Sequence, residues 1–174
     1  MRTLTASALC VLALQLGCSE ELTWRAIDRM IEANFPDAPT ITTDSLAQRL
    51  ADTTATRPVL LDARSTEEYA VSHLPGAHRV PPDADPIAGL DTLSQDTPIV
   101  VYCSVGYRSA RVTAQLRKQG FTDVSNLKGS IFRWANEGRT VVRDGNPVRA
   151  VHPYDNTWGR LLNDDLHASS ENVP

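Results

Sequence analysis

At 174 residues, with 41% hydrophobic and 22% charged side chains, the chain has room for one domain with a real core and some peripheral segments. A second complete domain does not fit. The formal charge of -4 offers no attraction to nucleic acid or to an anionic membrane surface, and both are set aside as partners.

The opening stretch, MRTLTASALCVLALQLGCSEE, carries one basic residue, Arg2, then an uncharged run from Leu4 to Leu16, then Gly17, Cys18 and the acidic pair Glu20 and Glu21. That is the layout of a secretory signal over residues 1–17. The run is 13 residues long, short of the roughly 20 that span a bilayer as a helix, so a permanent anchor is the weaker reading. Gly17 before Cys18 is similar to the lipobox of bacterial lipoproteins, in which the cysteine is lipidated and becomes the new N-terminus; Gln15 departs from that box. The expectation is an exported protein of the bacterial periplasm or cell envelope, held at a membrane only through a lipid on Cys18, with a soluble secreted form as the alternative.

Residues 18–53 read as a leader and N-terminal helical segment. WRAIDRMIEANF is weakly helical, FPDAPT breaks it, and Thr43-Asp44 caps SLAQRLA, where Leu46 and Leu50 share a face. Val59, Leu60 and Leu61, bounded by Pro58, form a run too short for a helix and suited to a buried strand of parallel type. Ser65 and Glu68 make a capping box for a short helix, Pro75-Gly76 turns the chain, and a short strand follows at His78 to Val80. PIVVYC is a second buried strand. A helix is expected from Tyr107 to Gln119, with Val112 and Leu116 on one face and Gly120 as its stop. FTDVSNL gives another strand and SIFRWANEG a short helix ending at Gly138. Strands alternating with helices over residues 58 to 138 argue an α/β domain with a mainly parallel sheet. The final segment, 146–174, holds Tyr154, Trp158, Leu161 and Leu162 and is expected to pack on the body and fray past about Leu166, as core cover first and with a place over the active-site mouth as the alternative.

Of three cysteines, Cys10 lies in the signal and Cys18 at its end, which leaves Cys103 as the one thiol of the folded body. A Cys18 to Cys103 disulfide is the competing reading. Cys103 ends a β-branched strand and precedes a helix, at the carboxyl edge of the sheet where ligands gather. Loop amides and the helix N-terminus favour its thiolate, Arg108 adds a full positive charge, and Gly106 lets the backbone fold tightly around a sulfur. The same loop also suits a buried cysteine that packs as a small hydrophobe.

The ordered words LLDAR, EEYAVSHLPGAHRVP, IVVYCSVGYRSA and NLKGSIFRWANEG narrow this, because together they resemble the rhodanese family over roughly residues 54–145. The resemblance implies an α/β fold around a five-stranded, mostly parallel sheet and no metal or organic cofactor. It implies that Cys103 takes sulfane sulfur from a donor such as thiosulfate or a persulfide, and passes it to a thiol or cyanide. Ser104, Val105, Gly106, Tyr107 and Arg108 match the loop whose amides hold the persulfide. Asp62 and Arg64 match a strand-end pair and are read as support, an ion pair fixing the adjacent loop. His73 is expected to be structural and Trp134 to be core. The protein is expected to be a monomer.

The alternatives are a non-catalytic rhodanese-like binding or regulatory module and, further off, a phosphatase or arsenate reductase, since one fold hosts several reactions. The Cys-x4-Arg interval from Cys103 to Arg108 is one residue shorter than the Cys-x5-Arg loop of cysteine phosphatases. Ser104 stands where several thiosulfate-using members have a basic residue, which leaves the donor open.

Overall fold

The computed structural model describes residues 6–84, 89–90 and 92–169; for residues 6–19 it describes the helical backbone alone. The signal's first five residues and the side chain of Cys18, on which the lipidation reading rests, lie outside this description. No helix among the described residues is long and apolar enough to cross a membrane.

Helix α1 (Ala6–Asn34) leads to strand β1 (Thr40–Ile41), helix α2 (Thr43–Ala51) and strand β2 (Val59–Asp62). Helix α3 (Thr66–Val71), strand β3 (His78–Arg79), strand β4 (Ile99–Tyr102) and helix α4 (Tyr107–Lys118) follow. Strand β5 (Val124–Leu127), helix α5 (Ser130–Asn136), and the hairpin β6 (Val141–Arg143) and β7 (Asn146–Val148) complete the body. Two 3-10 turns, Trp158–Leu161 and Asp164–Leu166, close the described chain.

Five strands form one sheet in the order β1-β5-β4-β2-β3, every pairing parallel. Its centre is β4, flanked by β2 in the register Asp62 to Tyr102 and by β5 in the register Val101 to Asn126. All four β4 residues are buried, as a strand covered on both faces requires. Side chains alternate along it: Ile99, Val101 and Cys103 join the cluster under α4 with Val112 and Leu116, while Val100 and Tyr102 join the opposite one. That alternation decides on which face the thiol lies.

Three features go beyond the sequence reading. Helix α1 crosses the expected boundary at Cys18 without a break, and Trp24, Ile27 and Ile31, one face at helical spacing, are buried in the core beside Val105 and Phe132. Two-residue β1 is too short to show a period in sequence, yet it supplies the fifth strand by pairing with β5. The Asp144-Gly145 pair, with φ of 50° and 77°, makes the tight turn between β6 and β7.

The expected caps hold with one shift: Thr42, not Thr43, caps α2 by accepting the Ser45 N–H, and the Ser65–Glu68 box is complete in both directions. Val112 and Leu116 are fully buried on one face of α4, and Gly120 ends the helix at φ 101°. His73 is structural: its ring stacks on Tyr69 at 3.9 Å and its backbone bridges to Val142. Trp134 is buried, its indole N–H donating to the Thr140 carbonyl.

Asp62 and Arg64 form a fully buried ion pair at the end of β2. Arg64 Nε and Nη2 donate to the two carboxylate oxygens at 2.9 and 2.7 Å, and Nη2 also reaches the Ser72 carbonyl beyond α3 at 2.5 Å. The pair thereby ties both ends of the α3 segment to the sheet. Removing one partner strands the other charge in the interior, so Asp62→Ala is expected to cost about 3–5 kcal/mol, read as a lower urea midpoint at unchanged slope. A loss within about 1 kcal/mol would contradict this role.

Candidate active site

Cys103 directly follows β4, and its chain turns through Ser104 and Val105 to Gly106, whose φ of 115° begins α4. A side chain at Gly106 would be strained at that φ and would press on Ile31 Cδ1 at 3.2 Å. The Cys103 and Ser104 carbonyls accept the Ile131 and Phe132 N–H groups of α5, so the loop's acceptors are spent away from the sulfur. Ser130 donates its hydroxyl to the Leu127 carbonyl and accepts the Cys103 N–H at 3.1 Å, fixing the nucleophile's backbone from a left-handed φ of 50°. Such a conformation in a residue with a side chain persists only where its surroundings impose it.

The Cys103 Sγ accepts the Gly106 N–H at 3.2 Å and lies 3.5 Å from the Ser109 hydroxyl. That hydroxyl is 2.6 Å from Asn126 Oδ1, and Asn126 Nδ2 donates to the Gly106 carbonyl at 3.1 Å. One hydroxyl proton serves one acceptor, and the shorter bond is to Asn126; the Gly106 amide is therefore the firmer donor to sulfur. Burial pushes the Cys103 thiol up, but the Arg108 charge, Ser109 and the Gly106 amide outweigh it and hold the thiol below its ordinary value. Cys103 is a free thiol.

Arg108, in the first turn of α4, has both terminal nitrogens on Glu68, each at 2.7 Å from a different carboxylate oxygen. The Ser104 hydroxyl completes a closed ring, donating to Glu68 at 2.7 Å and accepting from Arg108 at 2.9 Å. Burial alone would raise the Glu68 carboxyl, but Arg108, the Ser65 amide and Ser104 bring it down to about 2, so it is ionised. Arg108 is shifted upward, its burial outweighed by Glu68 and by the thiolate.

Above the sulfur lies a cavity of about 110 Å³ lined by Cys103, Ser104, Val105, Tyr107, Arg108, Tyr154 and Trp158. Tyr107 is 38% exposed, its ring edge on Phe35, and Tyr154 lays its ring 4.7 Å from the Arg108 guanidinium. Of the residues singled out in sequence, the Cys103 to Arg108 loop is thus brought together around one cavity. Asp62 and Arg64 are not in it; they act one step removed, by seating α3 and so Glu68.

Sequence reasoning missed the second job of Glu68, which it used only as a cap, and it missed Ser109, Asn126 and Ser130. The adjacent Glu67-Glu68 pair inside a resembling motif was the available signal for Glu68; the others lie in the quoted words without a spacing rule to mark them. The tail is more than core cover. Leu162 is buried as expected, and Val151 with it, yet Tyr154 and Trp158 wall the cavity.

A model of the rhodanese-like domain matches residues 42–137. The chain belongs to the rhodanese-like family. A sulfurtransferase of Allochromatium vinosum is 38% identical over 102 residues, which cover 59% of this chain and 92% of that protein. The probable adenylyltransferase/sulfurtransferase MoeZ of Mycobacterium tuberculosis is also 38% identical, over 79 residues that cover 45% of this chain and 20% of that protein. Among solved structures, a rhodanese-like domain protein of Staphylococcus aureus is 29% identical with a TM-score of 0.53, covering 61% of this chain and 98% of that one. Sulfur transfer is therefore the chemistry of the family to which this rhodanese-like domain belongs.

The lowered thiol predicts that Cys103 is alkylated by iodoacetamide with a pH midpoint below that of an ordinary cysteine, and that Arg108→Gln moves the midpoint upward. An unchanged midpoint in that variant would show that Arg108 does not set the thiolate.

Proposed function

We propose that this protein is a sulfurtransferase that carries sulfane sulfur as a persulfide on Cys103, from a donor such as thiosulfate or a persulfide to a thiophilic acceptor such as a thiol or cyanide. The observation that carries the reading is the Cys103 sulfur itself, favoured as thiolate by a loop amide and a cation, at the floor of a cavity sized for a few heavy atoms.

In the first half-reaction the Cys103 thiolate attacks the terminal sulfur of the donor. A new S–S bond forms to Cys103 as the donor's own S–S bond breaks, and the bond electrons leave with sulfite or a thiolate. The persulfide that results keeps one negative charge on its outer sulfur. In the second half-reaction the acceptor attacks that outer sulfur, and Cys103 departs as thiolate. No net oxidant or reductant is consumed.

The chain's own groups fit each step. The Gly106 amide and Arg108 favour negative charge at the sulfur, and the Tyr107 and Tyr154 rings restrict water at the mouth. The x4 loop and the occupied Arg108 fork disfavour a tetrahedral phosphate dianion, which needs free donors on several sides.

Intact-mass spectrometry after incubation with thiosulfate or an organic persulfide is expected to show a gain of one sulfur mass that cyanide removes and that Cys103→Ser lacks. No gain with either donor, in protein whose thiol is free, would overturn the reading and favour a binding module.

A further inference from the structure

The family match ends at residue 137, yet the cavity over Cys103 is finished by residues 154 and 158. The segment that carries them is built, not draped. Val151 pairs with the Leu166 and Ala168 backbone, and Asn136 Nδ2 and Oδ1 bind the Leu161 carbonyl and Asn163 N–H. Asp155 Oδ1 accepts the Thr157 and Trp158 amides, which starts the 3-10 turn and aims the indole. Tyr154 sits at φ 68°, a left-handed conformation unfavourable for an aromatic residue, stabilised where its N–H donates to His152 Nδ1 at 3.0 Å. A strained residue that is 47% exposed and whose ring lines the cavity points to a use at its mouth.

The charge around the cavity points the same way. Arg108 is the cation facing the sulfur among the cavity's lining residues, and its fork is filled by the ionised Glu68. With Cys103 as thiolate, these three groups sum to one negative charge. A dianionic donor meets stronger repulsion there than a monoanion, in a setting where water screens it poorly.

Resting on the sulfur-transfer reading, we infer that the Tyr154–Trp158 wall and the Glu68-neutralised Arg108 select monoanionic organic sulfane donors, R–X–S⁻ with an apolar or aromatic R, over the inorganic thiosulfate dianion. The cavity of about 110 Å³ admits the sulfane end, and R rests against the two aromatic rings at the mouth. For such a donor the Cys103 thiolate takes the terminal sulfur, the X–S bond breaks, and the organic fragment leaves with that bond's electrons as a sulfinate or thiolate.

The test uses the full chain and two probes, benzenethiosulfonate and thiosulfate, with the second-order rate of Cys103 persulfidation read by mass. The readout is the change in the ratio of the two rates between wild type and variant, in which the intrinsic reactivity of the donors cancels. Tyr154→Ala is expected to lower the ratio by about five- to tenfold and Tyr154→Phe to keep it. Glu68→Gln, which retains the shape of the cap, is expected to lower the ratio by raising the thiosulfate rate. Ratios unmoved in both Tyr154→Ala and Glu68→Gln, with persulfide still formed, would overturn this inference alone. Failure of both probes to persulfidate the wild-type protein would overturn the sulfur-transfer reading with it.

Discussion

The site depends on one carboxylate. Glu68 completes the cap of α3 through the Ser65 N–H, grips both arms of Arg108 and accepts the Ser104 hydroxyl, so a helix after β2 and the loop after β4 are locked by a single side chain that is almost wholly buried. A bidentate guanidinium–carboxylate pair fixes orientation as well as distance. Without it, Arg108 would be a flexible cation of uncertain place; with it, the charge stands at a set position beside the sulfur while adding little net field beyond the loop. The fully buried Asp62–Arg64 pair beneath anchors α3 to the sheet and so decides where Glu68 can reach.

This arrangement separates two demands that the cysteine makes of its surroundings. The thiolate needs stabilisation, which comes at short range from the Gly106 amide and from Arg108. In the proposed reaction the donor needs a way in, and there the net charge and the walls would count more than any single hydrogen bond. The walls come from two parts of the chain: the nucleophile loop, whose Tyr107 is held against Phe35 in the turn after α1, and the segment carrying Tyr154 and Trp158. The family fold supplies the sulfur seat, and peripheral segments shape its entrance.

Much of the fold was legible because its strands are hydrophobic runs with hard stops. Val59 to Leu61 after Pro58, and Ile99 to Tyr102 before the loop, announce a doubly covered parallel sheet, and Ser65-x-x-Glu68 announces a helix start. Thr40–Ile41 was not legible, since two residues carry no period, and α1 was underread because Trp24, Ile27 and Ile31 become a core face only when the loop and α5 are there to receive them. At the site, the Cys103 to Arg108 loop stood out as one contiguous string. Glu68, Asn126 and Ser130 did not, because each acts from a separate element and is brought to the loop by the sheet order. The tail reads first as core cover and second as a cover over the active-site mouth, and nothing in a single sequence states that the Tyr154 ring meets Arg108.

In the proposed reaction Cys103 is a covalent carrier that is loaded before it is unloaded, with one cavity serving both steps. The most direct measurement is of initial rates of thiocyanate formation with the sulfane donor and cyanide both varied. A persulfide that must form and then discharge predicts parallel lines in double-reciprocal plots, the signature of a substituted-enzyme mechanism. Lines that intersect, showing that donor and acceptor must be bound together before any sulfur moves, would contradict it.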